Sequence, residues 1–365
     1  MSVKIAVLAL TAQGVKTAER IADVLARPTA NNLIPAVEIF SHNHCAREYN
    51  SFSRLQDLMT KIWSKYAVII FVMATGIVVR QVGPFLKSKD VDPAVLVIDE
   101  NARFIIPLVS GHLGGANDWA RRLAHVLDAT AVITTATDGQ GLVAPDEYAR
   151  RLGWSITPLK NLPRLNRLLL ERKYLKVWTE HMLAPDHPLA ADENYVFIQE
   201  REQAELIVTA FPTDEASVGE KVFLIPRLLS LGIGCRQEIS VQAVREGIAR
   251  ALTEIKAPAS ALKGIYSIDL KAREGGLIQA AQELGIPFIT FSKTKIQAIN
   301  EQYQLSKSDF VKKNIGVDGV CEPASLLGTQ GGTLILPKLK QNGVSLAISQ
   351  EKSLSWASDP ETLLI

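Results

Sequence analysis

The chain reads as an α/β protein: two α/β domains with open, mixed and mostly parallel sheets, joined by a small middle α+β region. Three observations predict this. Runs rich in Val, Ile and Leu alternate with helical periodicities over residues 1–140, and again from residue 228. Proline and charge become frequent between them, over 141–227. Short polar turns, Glu100-Asn101-Ala102-Arg103 and Asn342-Gly343, join neighbouring apolar runs into hairpins, so each sheet is mixed. The expected organisation is an N-terminal α/β domain over 1–140, a middle region over 141–227, a C-terminal α/β domain over 228–350 and a tail over 351–365.

Taken in order, strands are predicted over 4–10, 67–73, 95–99, 104–109 and 131–135, and helices over 15–25, 52–66, 77–85 and 117–127. The strands are unbroken apolar runs, as in a sheet covered on both faces. Asn117 reads as the N-cap of its helix, and Asp118 as a first-turn acid suited to the helix dipole. In the middle region a helix over 162–173 precedes strand-like runs over 176–179, 195–199 and 206–209. The C-terminal domain opens on a strand over 229–234, followed by a helix capped by Ser240 and running to 251. A strand over 264–270, a helix over 274–284 closed by Gly285, and a strand over 287–291 come next. Helices over 293–302 and 322–327 and strands over 333–338 and 344–348 complete it. No internal repeat relates the two ends.

The 365 residues, 47% hydrophobic and 21% charged, suffice for two or three domains with cores. A net charge of +2 argues against nucleic acid or a membrane surface as the principal partner. No apolar run reaches the roughly 20 residues of a membrane span, and residues 1–10 read as a buried first strand rather than a signal segment. Cys45, Cys235 and Cys321 are far apart and form no CxxC pair, so neither a disulfide framework nor a zinc site is expected, and the cytoplasm is the expected compartment. His42-Asn43-His44-Cys45 offers no fourth ligand, so no metal is expected there.

Chemistry concentrates in four turns that follow strands. They are Leu10-Thr11-Ala12-Gln13-Gly14; Ala74-Thr75-Gly76-Ile77-Val78-Val79-Arg80; Ser110-Gly111-His112-Leu113-Gly114-Gly115-Ala116-Asn117-Asp118; and Thr134-Thr135-Ala136-Thr137-Asp138-Gly139. Ligands of open α/β sheets bind at the carboxyl ends of strands, so the four turns are expected to line one crevice. The basic loop Lys87-Ser88-Lys89-Asp90 is either a solvated loop or a carboxylate clamp. His112, among glycines at a helix start, is either an ordinary turn residue or a proton-transfer group, since its pKa needs little tuning. Asp138 is either a turn former or a catalytic carboxylate. In the C-terminal domain Gly232-Ile233-Gly234-Cys235-Arg236 is a further strand-to-helix turn, and Arg236 could contact an acidic ligand.

These motifs, in series, resemble the cobalt-precorrin-5A hydrolase family of anaerobic cobalamin biosynthesis. The resemblance runs through Ala74–Arg80, Asp92-Pro93 with the strand to Glu100, Ser110–Asn117, Val132–Asp138 and Gly232–Arg236. It continues through Ile268-Asp269-Leu270-Lys271, Glu274 with Gly276-Leu277, Ser308 with Val311, and Gly316-Val317 with Val320-Cys321-Glu322-Pro323-Ala324. It covers almost the whole chain. Residues 154–227, the run Gly328-Thr329-Gln330-Gly331-Gly332, the loop at His42 and the tail with Trp356 lie outside it.

The resemblance implies a hydrolase acting on a carbon–carbon bond. It would open the δ-lactone of cobalt-precorrin-5A and release acetaldehyde, giving cobalt-precorrin-5B. The cobalt belongs to the corrinoid substrate, and no cofactor of the protein's own is implied. Such chemistry needs a base, donors for an oxyanion, and cations for peripheral carboxylates. The residues expected to serve are His112 as base and Asp138 as orienter or second acid/base. Thr75, Gly76, Arg80, Lys87, Lys89, Ser110, Gly111, Gly114, Gly115, Asn117, Thr135, Thr137, Gly234 and Arg236 are expected to hold substrate. Gly76, Gly114 and Gly115 would form the backbone cradle. Neighbouring methyltransferases of the pathway are the other expected partners. The alternative is a non-catalytic corrinoid carrier. A nucleotide-binding oxidoreductase is disfavoured because no GxGxxG follows the first strand.

Overall fold

The structure is a computed structural model and describes residues 3–27, 34–45, 49–212, 219–329 and 331–354. Gln330 and the tail with Trp356 lie outside the described residues. The chain is α/β, with mixed, mostly parallel sheets, and contacts divide it into two compact units. Among the described residues, the first comprises 3–152 with Leu169–Lys173; the second comprises Gly153–Leu168 with 174–354.

The first unit is built on a seven-stranded sheet. Its strands are β1 (Lys4–Ala9), β2 (Ala36–His42), β3 (Asn50–Phe52), β4 (Val68–Val72), β5 (Ala94–Ile98), β6 (Phe104–Val109) and β7 (Thr130–Ala131), in the order β3-β2-β1-β4-β5-β6-β7. The helices are α1 (Ala12–Leu25), α2 (Leu55–Ile62), α3 (Thr75–Val82), α4 (Ala116–Leu127), α5 (Ala136–Gly139) and α6 (Pro145–Arg151). Side chains alternate across the strands. Ile5, Val7, Ile70, Leu96 and Ile98 pack under α1 and α4, while Leu8, Ile69, Phe71, Val95 and Val97 pack under α2 and α3. Every residue of β4 and β5 is buried, which explains their unbroken apolar sequence.

Strand direction decides where the turns emerge. β3, β2, β1, β4 and β5 run parallel, but β6 is antiparallel to β5, with Val95 opposite Val109 and Ile98 opposite Ile105. β7 follows β6 in parallel. The turn after β6 therefore emerges where β4 and β5 begin, not where they end. The bond from Ser110 Oγ to Asp92 O, 3.1 Å, ties that turn to the residues preceding β5. At the other end, Thr11 Oγ1 donates to Glu100 at 2.5 Å, tying the end of β1 to the end of β5.

The predicted strands of the first unit are found with shifts of at most one residue at either end, except that 131–135 is a strand only at Thr130–Ala131, after which the chain leads into α5. The hairpin turn before β6 is held by Asp99, whose Oδ1 accepts from the Arg103 and Phe104 N–H groups at 2.8 and 2.7 Å. β2 and β3 escaped the sequence reading. β2 is exposed or half-exposed at all but two positions and carries Glu38, so it lacks the apolar run used to find the others.

The second unit contains a five-stranded sheet in the order β11-β9-β12-β13-β8. Its strands are β8 (Ser155–Thr157), β9 (Leu175–Thr179), β11 (Tyr195–Phe197), β12 (Leu206–Val208) and β13 (Val222–Ile225), with β8 alone antiparallel. α7 (Leu162–Arg172) precedes β9, and β10 (Met182–Leu183) and α8 (Pro188–Ala191) follow it.

A second five-stranded sheet has the order β16-β15-β14-β18-β17. It is made of β14 (Leu229–Cys235), β15 (Leu262–Ile268), β16 (Phe288–Phe291), β17 (Thr333–Gln341) and β18 (Val344–Gln350). The helices α9 (Val241–Glu254), α10 (Gly275–Leu284), α11 (Lys293–Gln302), α12 (Asp309–Ile315) and α13 (Cys321–Gly328) accompany it, and β19 (Ser353–Leu354) pairs with β10. Ser240 caps α9 as expected, its Oγ accepting from the Ala243 N–H at 3.3 Å.

Candidate active site

The turn between β6 and α4 is a compact knot of backbone. Ser110 takes a positive φ of 58° and Gly115 one of 79°. The N–H groups of Gly115, Ala116 and Asn117 bond to the carbonyls of His112, Ser110 and Gly111 at 2.9, 3.1 and 3.1 Å. A Cβ on Gly114 would lie 2.4 Å from Ser110 Cβ. The glycines thus let the turn close on itself. The expected oxyanion cradle at Gly115 is not present, because its N–H is spent inside the turn. Gly111 is equally crowded: a Cβ there would meet Asn117 Oδ1 at 2.9 Å.

What the knot presents is His112. Its Nε2 lies 3.2 Å from Asp138 Oδ2 and 3.3 Å from Thr137 Oγ1, both on α5. Its Nδ1 lies 3.4 Å from Asp146 Oδ1 on α6. Asn117 Nδ2 donates to Thr135 Oγ1 and to Asp138 Oδ2, each at 2.9 Å. Asn117 is therefore not the N-cap expected: α4 starts at Ala116 with Gly115 as cap, freeing the amide to brace the acid. Thr135 and Arg121 also donate to Asp138. Around this core, Asp118 pairs with Arg121 and Arg150, and Glu147 pairs with Arg151.

These contacts set the charges. Burial opposes charging of His112, but its contacts with Asp146, then Asp138, and the nearby Glu147 outweigh it and raise its pKa. Burial pushes Asp138 up, yet the donors Thr135, Arg121 and His112 together hold it below the ordinary carboxylate value. Burial and the neighbouring Arg151 lower Arg150 to about 10. His112, Asp138 and Glu147 bring ligand-type atoms within 4.8 Å of one another. Both carboxylates of that group are already matched to guanidinium groups, Arg121 and Arg151, which would have to yield before an ion could enter.

Three family profiles match successive stretches between residues 57 and 349. "Cobalamin synthesis G N-terminal" matches residues 57–138, "Cobalamin biosynthesis central region" 143–226, and "Cobalamin synthesis G C-terminus" 229–349. The chain is 31% identical over 80% of its length to "Cobalt-precorrin-5A hydrolase" of Priestia megaterium, of which 80% is covered. It is 33% identical over 78% of its length to the protein of the same name from Salmonella typhimurium, of which 82% is covered. The chain belongs to the cobalt-precorrin-5A hydrolase family. A third relative, "Probable cobalt-precorrin-5A hydrolase" of Methanocaldococcus jannaschii, is 30% identical over 95% of the chain, with 99% of the relative covered.

In this hydrolase-family chain the expected site residues divide. His112, Asp138, Thr135, Thr137 and Asn117 form one cluster, and Ser110 anchors its turn. Lys87 and Lys89 share that end of the sheet: the loop they occupy is folded by the Lys87 N–H bonding the Asp92 carboxylate at 2.9 Å, and Asp92 O receives Ser110. Thr75 and Gly76 begin α3 at the opposite end, separated from the His112 turn by the length of β4, roughly 16 Å at ~3.3 Å per residue.

The single crevice expected of the four turns is therefore two places. The rule about carboxyl ends holds for parallel strands, and the β5–β6 hairpin reverses the chain. Arg80 lies exposed in the last turn of α3, while Gly234 and Arg236 belong to the second unit, at the end of β14. Of the loop at His42, Nε2 of His42 contacts Ser53 O at 3.1 Å, its Nδ1 accepts from the His44 N–H, and Cys45 Sγ donates to Leu10 O. These contacts tie the loop to Ser53 and to Leu10 at the end of β1.

The acids missed from sequence are Asp146 and Glu147. Both lie beyond residue 140, in what read as the middle region, and no helical run of useful length marks α6 there.

The raised pKa of His112 predicts how stability follows pH. Its ion pairs stabilise the fold fully below the ordinary histidine value of 6.5 and are lost as pH rises through the higher folded value. The melting temperature of the first unit is expected to fall over that window, and His112→Gln to flatten the fall. Thermal scans between about pH 6 and 9 test it; an unchanged slope in the variant would remove His112 as the source.

Proposed function

We propose that this protein is a cobalt-precorrin-5A hydrolase that opens the substrate's δ-lactone and expels acetaldehyde, yielding cobalt-precorrin-5B. What carries the reading is the match, over most of the chain, to relatives bearing that name. The His112–Asp138 cluster supplies chemistry that suits it. A water must add to an ester carbonyl, and a hydroxyl must lose its proton so that a carbon–carbon bond can break. The macrocycle, with its own cobalt, receives the electron pair.

In this reading His112 exchanges protons with the reacting oxygen, and Asp138, braced by Asn117, Thr135 and Arg121, sets the ring's orientation. Lys87 and Lys89, on the loop tied to Ser110, are the nearest proposed partners for peripheral carboxylates. Thr75, Gly76 and Arg80 belong to α3 and Gly234 and Arg236 to the second unit, and none of them is given a step in this chemistry.

The decisive experiment mixes the purified protein with cobalt-precorrin-5A under anaerobic conditions and measures acetaldehyde. Stoichiometric release with appearance of the ring-opened carboxylate is expected. Tight binding without acetaldehyde would instead favour a corrinoid carrier.

A further inference from the structure

We propose that Asp146 is a positioning residue for His112, and that the carboxylates at both ring nitrogens make this histidine a proton donor first and an acceptor second. The chemical sequence rests on the function proposed above; the state of the ring does not.

A neutral imidazole has one N–H and one lone pair. His112 has a carboxylate oxygen at each nitrogen, Asp146 at 3.4 Å and Asp138 at 3.2 Å. In either neutral tautomer a lone pair would face a carboxylate, Asp146 at Nδ1 or Asp138 at Nε2, where the Thr137 hydroxyl at 3.3 Å is an alternative partner. Only the imidazolium turns a proton toward both carboxylates, at Nε2 in hydrogen-bond contact with Asp138 and at Nδ1 across ion-pair distance from Asp146. The ring is shielded, its side chain 12% exposed and that of Asp146 3% exposed, so water does little to soften this preference.

The other charges facing the ring come from three elements. α4 brings Asp118 and Arg121, α5 brings Asp138, and α6 brings Asp146, Glu147 and Arg150. Arg121 serves Asp118 and Asp138, Arg150 serves Asp118, and Arg151 serves Glu147. Asp146 Oδ1 is buried without a hydrogen bond of good geometry, and the His112 ring is the cation placed at ion-pair distance from it. Asp146 therefore fixes the ring from behind, leaving Nε2 and its proton on the side of Thr137 and Asp138.

An imidazolium cannot begin as a base. In lactone opening the water oxygen bonds to the carbonyl carbon and the ring C–O bond breaks. The departing oxygen takes the Nε2 proton, and both water protons pass to solvent, leaving a carboxylate. His112 is now neutral. The new hydroxyl then returns its proton to Nε2, the carbon–carbon bond breaks, acetaldehyde leaves, and the electron pair stays on the macrocycle. One histidine serves both steps and ends as it started.

Nitrogen-15 NMR of the full chain labelled at histidine, assigned with His112→Gln, reads the ring directly. Both nitrogens of His112 protonated at pH 7 is the expected result; a ring with one bare nitrogen overturns the proposal. In Asp146→Asn the alkaline limb of acetaldehyde release should move down by about one pH unit or more, with the NMR transition moving alongside it. A limb that stays in place reduces Asp146 to a structural role. If Asp146→Asn does not fold, the wild-type spectrum still decides. If the wild type releases no acetaldehyde, the proposed function fails while the spectrum still judges the ring.

Discussion

His112→Gln is expected to lower acetaldehyde release by ~10²- to 10⁴-fold, the usual contribution of a positioned acid–base group. Glutamine preserves size and polarity but cannot shuttle a proton. The surrounding braces do not depend on the ring: Asn117, Thr135 and Arg121 hold Asp138 on their own. Corrinoid binding should accordingly persist, measured by the change in the substrate's visible spectrum on titration. A variant that binds and turns over at the wild-type rate would move the chemistry elsewhere, and the other end of the first sheet, with Thr75 and Gly76 at the start of α3, would be the next place to look.

Gly232→Ala is expected to cost the most stability of any single methyl group added to the second unit. Gly232 lies in β14, directly under α13, and a Cβ there would stand 1.8 Å from Cys321 O and 2.6 Å from Ser325 N. Those atoms are helix backbone and cannot rotate away. Either α13 lifts off β14 or the strand buckles, and both disturb packing around Tyr266, Ile268 and Ala324. A loss of about 3 kcal/mol or more is expected, at or beyond the upper range for overpacked cores. Urea unfolding followed by circular dichroism measures it. A shift under about 0.5 kcal/mol, the level of an ordinary surface change, would mean the helix tolerates the methyl group. Gly234 offers a control on the same strand, since a Cβ there would meet only Val320 side-chain carbons at 3.5 and 3.7 Å.

Much of this molecule is legible in its sequence, and the failures are instructive. The apolar runs of β1, β4, β5, β14 and β15 announce themselves because both faces are covered. The hairpin before β6 was also readable from its polar turn. What did not follow was its consequence: one antiparallel strand carries the next turn to the other end of the sheet. Recognising the hairpin and expecting one shared crevice are incompatible, and the hairpin decides.

The site was legible as far as His112 and Asp138, because a histidine among glycines and an acid after a strand both suggest chemistry. Their partners were not. Asn117 looked like a cap because it precedes an apolar helical face, but the helix begins one residue earlier and turns its amide inward. Asp146 and Glu147 resemble the solvated acids of any short helix. Only the packing of α6 against the β6–α4 turn shows that they are buried beside a histidine. The glycines misled in another way: they suggest an open cradle, whereas here they allow the backbone to close.

β7 is only two residues long and forms the margin of the first sheet, whereas β4 and β5 lie in its centre and are wholly buried. Amide exchange should register the contrast. The central strands surrender their protons only when the unit unfolds globally, while the margin frays at little cost. Asp138 follows that margin by a few residues. Its place beside His112 therefore depends less on the ladder than on side-chain ties from Asn117 and Arg121, and breathing at the margin would set His112 and Asp138 apart without melting the core.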